Sequence, residues 1–241
     1  MRFILLITVL VALALAFLST TFKERHLRNE ALFNKRAILS AIELQLGTRV
    51  SNLSDAEVQS LFENQMTQVV LNMEGESVGE EAVLAHGYKR GRAEDIDMAK
   101  ERKLPEAQRL LPLFIFEKNG EKYYILTVRG SGLWDEIWGN VALEDDFSTI
   151  AGVAFDHKAE TPGLGAEIKD NPAFPRQFHG KKLHKEDGTY TSVVVRKGGA
   201  VHDRYEVDGI SGATITANGV TEMMFRGIRY YQPYFETLKK Q

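Results

Sequence analysis

The chain has 241 residues, of which 44% are hydrophobic, 26% charged and 10% aromatic, which excludes a mostly disordered polymer. Thirty Lys and Arg against 33 Asp and Glu leave a formal charge of -3, without the basic excess of a nucleic-acid binder. Cysteine is absent, so disulfides, thiolate chemistry and zinc–thiolate sites are ruled out. The six histidines (His26, His86, His157, His179, His184, His202) are scattered, and no metal site is expected from them.

Phe3 to Phe22 reads FILLITVLVALALAFLSTTF, with no charge and no proline. About 20 apolar residues are needed to cross about 30 Å of hydrocarbon, so the run just suffices. A cleaved signal peptide needs a small-residue cleavage site after the apolar stretch. Here the Ala-x-Ala patterns, Ala12-Leu13-Ala14 and Ala14-Leu15-Ala16, lie inside it, which favours an uncleaved single-pass anchor. Lys23, Arg25 and Arg28 follow the run and only Arg2 precedes it. Charge bias therefore gives no support for an outward-facing body, and if anything leans the other way.

The expected organisation is an anchor over 1–22, a helical and connecting region over 23–110, and a body over 111–241 continuous with that region. Leu32, Ile38, Leu39, Ile42 and Leu46 fall at helical spacing. Ser54 with Glu57 predicts a capping box opening a helix that runs to about Val70. The charged stretch Lys89–Arg109 reads as solvated surface. Leu113–Glu117 and Lys122–Val128 flank Asn119-Gly120, a hairpin signal. Trp138–Glu144 and Ile150–Asp156 form a second pair of strands, and Thr191–Lys197 follows Asp187-Gly188 as another. A last helix starts near Thr216 and places Val220, Met223, Met224, Ile228 and Tyr231 on one face. The fold class is α+β, mainly an antiparallel sheet with flanking helices.

The segment Asp208–Thr216, DGISGATIT, sets three hydroxyls (Ser211, Thr214, Thr216) around Gly212 and Ala213, directly ahead of that helix. Small residues, hydroxyl donors and a helix N-terminus together suit a phosphate. On local physics alone a Ser/Thr N-cap after a tight turn is the favoured reading.

The pattern Asp-x-x-Ser-Gly-Ala-Thr-x-Thr resembles the flavinylation motif of the covalent FMN-binding domain family. Other segments accompany it in order: GSGLWDEIWG (Gly130–Gly139), HKAETPGLGAEI (His157–Ile168) and VRKGGA (Val195–Ala200). The resemblance is nearer to the flavin-bearing C subunits of sodium-translocating NADH–quinone reductases than to the G subunits of the ferredoxin-linked complexes. It implies FMN taken from FAD by a flavin transferase and esterified through its phosphate to Thr216. Ser211, Gly212, Ala213 and Thr214 would hold that phosphate, with Asp208 positioning the loop or assisting the transferase. Thr161, Gly163, Leu164 and Gly165 would lie against the isoalloxazine ring, and Trp134 beside it unless it is a core residue. Lys197 would donate to the phosphate or pyrimidine side unless it is a solvated strand end. Glu160 would be a polar contact with no acid–base task. The resemblance further implies electron relay within a membrane complex that oxidises NADH, reduces quinone and pumps sodium. Its other subunits would be the partners, and the body would lie on the outer, periplasmic face of the cytoplasmic membrane. No Gly-x-Gly-x-x-Gly opens a helix after a strand, so direct NADH binding is not expected. The different-class alternative is an anchored scaffold without flavin.

Overall fold

A computed structural model of the chain describes residues 2–240. The apolar run and the amphipathic segment behind it form one helix, α1 (Arg2–Ser40). Neither Gly nor Pro occurs in that stretch, so nothing in the sequence breaks the helix at Phe22. Residues 2–30 are exposed on every side, and the helix is long and apolar enough to cross a membrane. The hydroxyls of Thr8, Thr20 and Thr21 donate back to the carbonyls of Ile4, Ala16 and Phe17 at 2.9, 2.9 and 2.8 Å. Their donors are thus satisfied inside the helix, as an apolar surrounding requires. Leu32, Ile38 and Leu39 are buried and dock the far end of α1 on the body.

After α2 (Glu43–Leu46), α3 (Asp55–Asn64) opens with the expected capping box. The Ser54 N–H donates to the Glu57 carboxylate at 2.7 Å, and the Ser54 side chain accepts from the Glu57 N–H at 3.3 Å. The helix does not continue to Val70. Met66–Leu71 is instead strand β1, paired with β2 (Leu111–Lys118) from Met66–Phe116 to Leu71–Leu111. A waiting strand partner and the β-branched Val69-Val70 outweigh the helical periodicity there. Between these strands lie α4 (Glu80–Ala85) and α5 (Met98–Glu101). This stretch is not plain surface. Glu101 is fully buried and accepts from the Leu110 N–H at 2.8 Å and the Tyr88 hydroxyl at 2.5 Å. Arg102 donates to the Gly130 carbonyl at 2.8 Å and to Ser131 Oγ at 3.0 Å.

The main sheet runs β1-β2-β3-β4-β5 with every neighbour antiparallel, where β3 is Glu121–Ser131, β4 Glu136–Leu143 and β5 Ile150–His157. Asn119 and Gly120 take φ of 55° and 84° at the β2–β3 hairpin, the left-handed pair that a two-residue turn needs. The expected antiparallel α+β class is therefore what the chain forms. After β5 come α6 (Glu167–Asp170), α7 (Ala173–Arg176), the short strands β6 (Val194–Arg196) and β7 (Glu206–Asp208), and then α8 (Thr214–Arg229) and α9 (Gln232–Leu238).

Helices cover both faces of the sheet. Leu39, Ile42, Val58 and Phe62 pack with Phe114, Phe116 and Ile125 on one side. Val220, Met223, Met224, Ile228 and Tyr231 pack with Leu113, Leu126, Val128 and Val141 on the other. Two buried faces explain why LPLFIF in β2 reads as a continuous apolar run rather than an alternation. Helix α8 crosses β3 closely: a Cβ at Gly227 would meet Val128 at 2.7 Å, and one at Gly219 would collide with the Ser131 carbonyl.

Thr191–Lys197 does not join the main sheet. Only Val194–Arg196 is paired, in parallel with β7. The Val195 N–H donates to Thr221 Oγ1 of α8 at 2.9 Å, so the pair is docked on the last long helix instead. The turn between these strands closes on Glu206, which is 4% exposed. Its carboxylate accepts from the N–H groups of Val201 at 2.7 Å and His202 at 2.9 Å, and from the Arg196 guanidinium. The Arg196 hydrogen bond, then the two amides, lower its pKa to about 2.

Two outcomes follow from this packing. The Tyr231 hydroxyl donates to the Pro112 carbonyl at 2.9 Å inside the core, with the Thr127 carbonyl a second acceptor at 3.1 Å. Tyr231→Phe removes this donor, and denaturant unfolding is expected to show a loss of about 1–3 kcal/mol. Glu206 is more acidic folded than unfolded, so its contribution is complete above pH 4.5 and is lost as pH falls toward about 2. Thermal unfolding of Glu206→Gln should therefore show a shallower decline in midpoint over that window than the wild type.

Candidate functional site

Helix α8 begins without a side-chain cap. Its N-cap is Ala213, with φ -108° and ψ 41°, and no side chain accepts from the first turn. The Ser/Thr N-cap reading of the motif is therefore not what forms. Among the described residues the N–H groups of Thr214, Ile215 and Thr216 have no acceptor. The positive end of a 16-residue helix stays open. Ser211 and Thr214 are exposed beside it. Gly212, at φ +83°, lies against the Gly163 carbonyl, where a Cβ would stand 2.7 Å away.

Thr216, in the first turn of the helix, is fully buried. Its hydroxyl donates to Glu160 Oε2 at 2.6 Å, with the Leu164 carbonyl a second acceptor at 3.2 Å. A hydroxyl has one proton, and the shorter, charged acceptor takes it. Glu160 is 5% exposed and also accepts the backbone N–H groups of Trp134 at 3.0 Å and Leu133 at 3.2 Å. Burial works against its charge, but the hydrogen bonds from Thr216, Trp134 and Leu133 hold its carboxyl below the usual range. Gly132 permits this approach: a Cβ there would stand 2.5 Å from Glu160 Oε1.

The segment Thr161–Gly165 covers the pair. It joins β5 to α6. Glu167 folds it, accepting from Gly163 N–H at 2.5 Å and Gly165 N–H at 3.2 Å. The Gly163 bond is the first reason the Glu167 carboxyl sits low. Gly165 has a φ of +151° and rests on Thr216, where a Cβ would collide with the hydroxyl. Only glycine fits there.

Glu160, Leu164, Gly165 and Thr216 thus meet, with the Trp134 N–H on Glu160 and Gly163 against Gly212, whereas among the described residues Lys197 and Asp208 make no hydrogen bond with the pair. Trp134 is 63% exposed and is not a core residue. Leu164, at 39% exposed, borders the same spot through its carbonyl on Thr216. Ile215, 58% exposed on the first turn of α8, is an apolar neighbour that the motif does not single out. Glu167, which folds the covering segment, is a second residue that the motif does not single out; a carboxylate two residues beyond Gly165 is its signal in the sequence. Thr161 is exposed, and its carbonyl accepts from Leu164 N–H at 2.9 Å. Asp208 Oδ1 accepts from the Ala200 N–H at 2.7 Å and ties the KGGA turn to the motif. Lys197 is exposed at the end of β6, where Gly209 abuts its backbone. Its side chain makes no hydrogen bond among the described residues. A cleft of about 890 Å³ lies elsewhere, between the end of α1 and β4–β5, and none of these residues lines it.

An open helix start, free hydroxyls and exposed apolar side chains fit a phosphate joined to a flat aromatic ring. The FMN-binding domain family matches residues 132–229. The C subunit of the Na(+)-translocating NADH-quinone reductase of Vibrio vulnificus is 45% identical over 105 residues, 43% of this chain and 41% of that protein. Against that relative, then, the chain aligns with less than half the length. The protein of the same name from Pseudomonas aeruginosa is 31% identical over 90% of this chain and 88% of its own. The crystal structure of the corresponding C subunit from Parabacteroides distasonis superposes with a TM-score of 0.74 at 32% identity, covering 88% of this chain and 96% of that one. Similarity over nearly full length, in sequence and in fold, shows that the chain belongs to the family of C subunits of Na(+)-translocating NADH-quinone reductases.

Proposed function

We propose that this chain is a membrane-anchored flavoprotein subunit of a sodium-translocating NADH:quinone oxidoreductase, carrying FMN esterified through its phosphate to Thr216. The observation that supports this reading most is the position of Thr216. Its hydroxyl sits at the open N-terminus of α8, next to unpaired backbone donors and a rim of exposed apolar side chains.

Under this reading the N–H groups of residues 214–216 and the hydroxyls of Ser211 and Thr214 hold the phosphate. Trp134, Leu164 and Ile215, with the backbone of Thr161, Gly163 and Gly165, border the ring. Glu160 lies behind the attachment oxygen, Lys197 donates to the phosphate or pyrimidine side, and Asp208 positions the loop through the Ala200 N–H. When bound, the flavin supplies reversible electron transfer between neighbouring redox centres of the complex. The chain's part is to hold one ring edge exposed and to set its electrostatics. These residues lie on a rim rather than in a deep cavity, which suits a covalent tether: attachment makes rebinding intramolecular, so a weak pocket suffices. Residues 1–22 are the anchor, 23–110 the connecting region and 111–241 the flavin body, on the periplasmic side. The other membrane subunits are its partners, and a flavin transferase acts once during maturation.

Co-expression with a flavin transferase tests this reading. The tryptic peptide Tyr205–Arg226 should gain the mass of FMN less one water. Thr216→Ala should abolish the gain while leaving the circular dichroism spectrum unchanged. A peptide of bare mass from the wild type, or full loading of Thr216→Ala, would overturn it.

A further inference from the structure

Three hydroxyls lie in the motif, and the exposed ones are not the proposed attachment point. Ser211 and Thr214 are open to solvent, and neither side chain has a carboxylate partner among the described residues. Thr216 is buried, and alone of the three it donates to a carboxylate, at 2.6 Å. We propose that Glu160 is the proton acceptor that activates Thr216 for flavin attachment, so that the acceptor chain carries its own general base and thereby selects the residue modified. This rests on Thr216 being the attachment residue.

The step balances as a phosphoryl transfer. Oγ1 of Thr216 attacks the phosphorus of the FMN half of a flavin dinucleotide, and the Oγ1–P bond forms. The bond from that phosphorus to the oxygen of the AMP half breaks, and AMP leaves with the electron pair. The threonine proton passes to Glu160 Oε2, and nothing is oxidised or reduced. A carboxylate that accepts a hydroxyl proton during phosphoryl transfer plays this part in protein kinases. The site carries one negative charge on Glu160 before the step. Afterwards it carries one on the phosphodiester, with Glu160 neutral and able to donate to it. A Glu160 that stayed ionised would face a second anion at hydrogen-bond distance.

The arrangement lets the cover move without loss of the base. Thr161–Gly165 must lift for a phosphate to reach a fully buried oxygen. Glu167 holds that segment, whereas the N–H groups of Leu133 and Trp134, on the β3–β4 connection, hold the Glu160 carboxylate. The two sets of anchors are separate.

The test follows loading of the full chain in detergent by a purified flavin transferase with excess flavin dinucleotide, read as intact mass against time. Glu160→Gln keeps an acceptor oxygen and the side-chain shape but removes the base, and is expected to load about 10²–10⁴-fold more slowly. Glu160→Ala is expected to be as slow and to be accelerated by added formate, which enters the vacated space. Glu160→Gln is expected to show no such rescue. Hydrogen exchange over α8 identical to the wild type establishes that both variants are folded. Loading of Glu160→Gln within about threefold of the wild type overturns the proposal. So does a slow Glu160→Ala that formate leaves unchanged, since a residue that merely positions the hydroxyl is not replaced by a free carboxylate. Failure of the attachment reading is distinct: the wild type then stays at bare mass, or Thr216→Ala still loads.

Discussion

One buried carboxylate joins three stretches that lie far apart in the chain. Glu160 accepts from the β3–β4 connection through Leu133 and Trp134 and from the start of α8 through Thr216. Its own backbone leads directly into the covering segment 161–165. An unpaired anion at 5% exposure would be expensive to bury, and the three contacts share that cost between them. Each stretch that meets at the site, GSGLW, ETPGLG and the threonine motif, thus contributes a group to one carboxylate's environment.

The sheet beneath supplies rigidity. With α1 and α3 on one face and α8 and α9 on the other, the strands that aim the site are buried on both sides. The close crossing of α8 over β3, through Gly219 and Gly227, fixes the height of Thr216 relative to the strand ends. The parallel pair β6–β7, clamped by Arg196 and Glu206, then sets where the motif leaves the body and enters the helix.

Much of this is legible in the sequence because local signals and tertiary demands agree. Asn119-Gly120, the Ser54–Glu57 box, and the apolar stripe of α8 each specify one local geometry, and each forms. The failures lie where a distant partner decides. Val69 and Val70 continue a helical pattern until β2 captures them as a strand. Thr191–Val193 has strand composition but no strand beside it. Glu101 reads as one charge among many between Lys89 and Arg109, and only the fold places Leu110 and Tyr88 against it. At the site, motif spacing points to Thr216, the covering loop and Trp134. The Glu160–Thr216 pairing is hidden, because 56 residues separate the partners and no local pattern encodes their contact.

The continuity of α1 has a mechanical consequence. Its 39 residues make a rod about 58 Å long at about 1.5 Å per residue. The apolar run takes up about 30 Å of this, and roughly 15 Å of bare shaft separates Phe22 from the first buried side chain, Leu32. With no Gly or Pro joint along it, the shaft acts as a stiff mast rather than a leash. With the apolar run in a lipid bilayer, tilting or turning of the anchor swings the whole body through an arc at nearly constant radius. The body therefore explores a thin shell at a set stand-off from the lipid, where a flexible tether of equal length would let it roam.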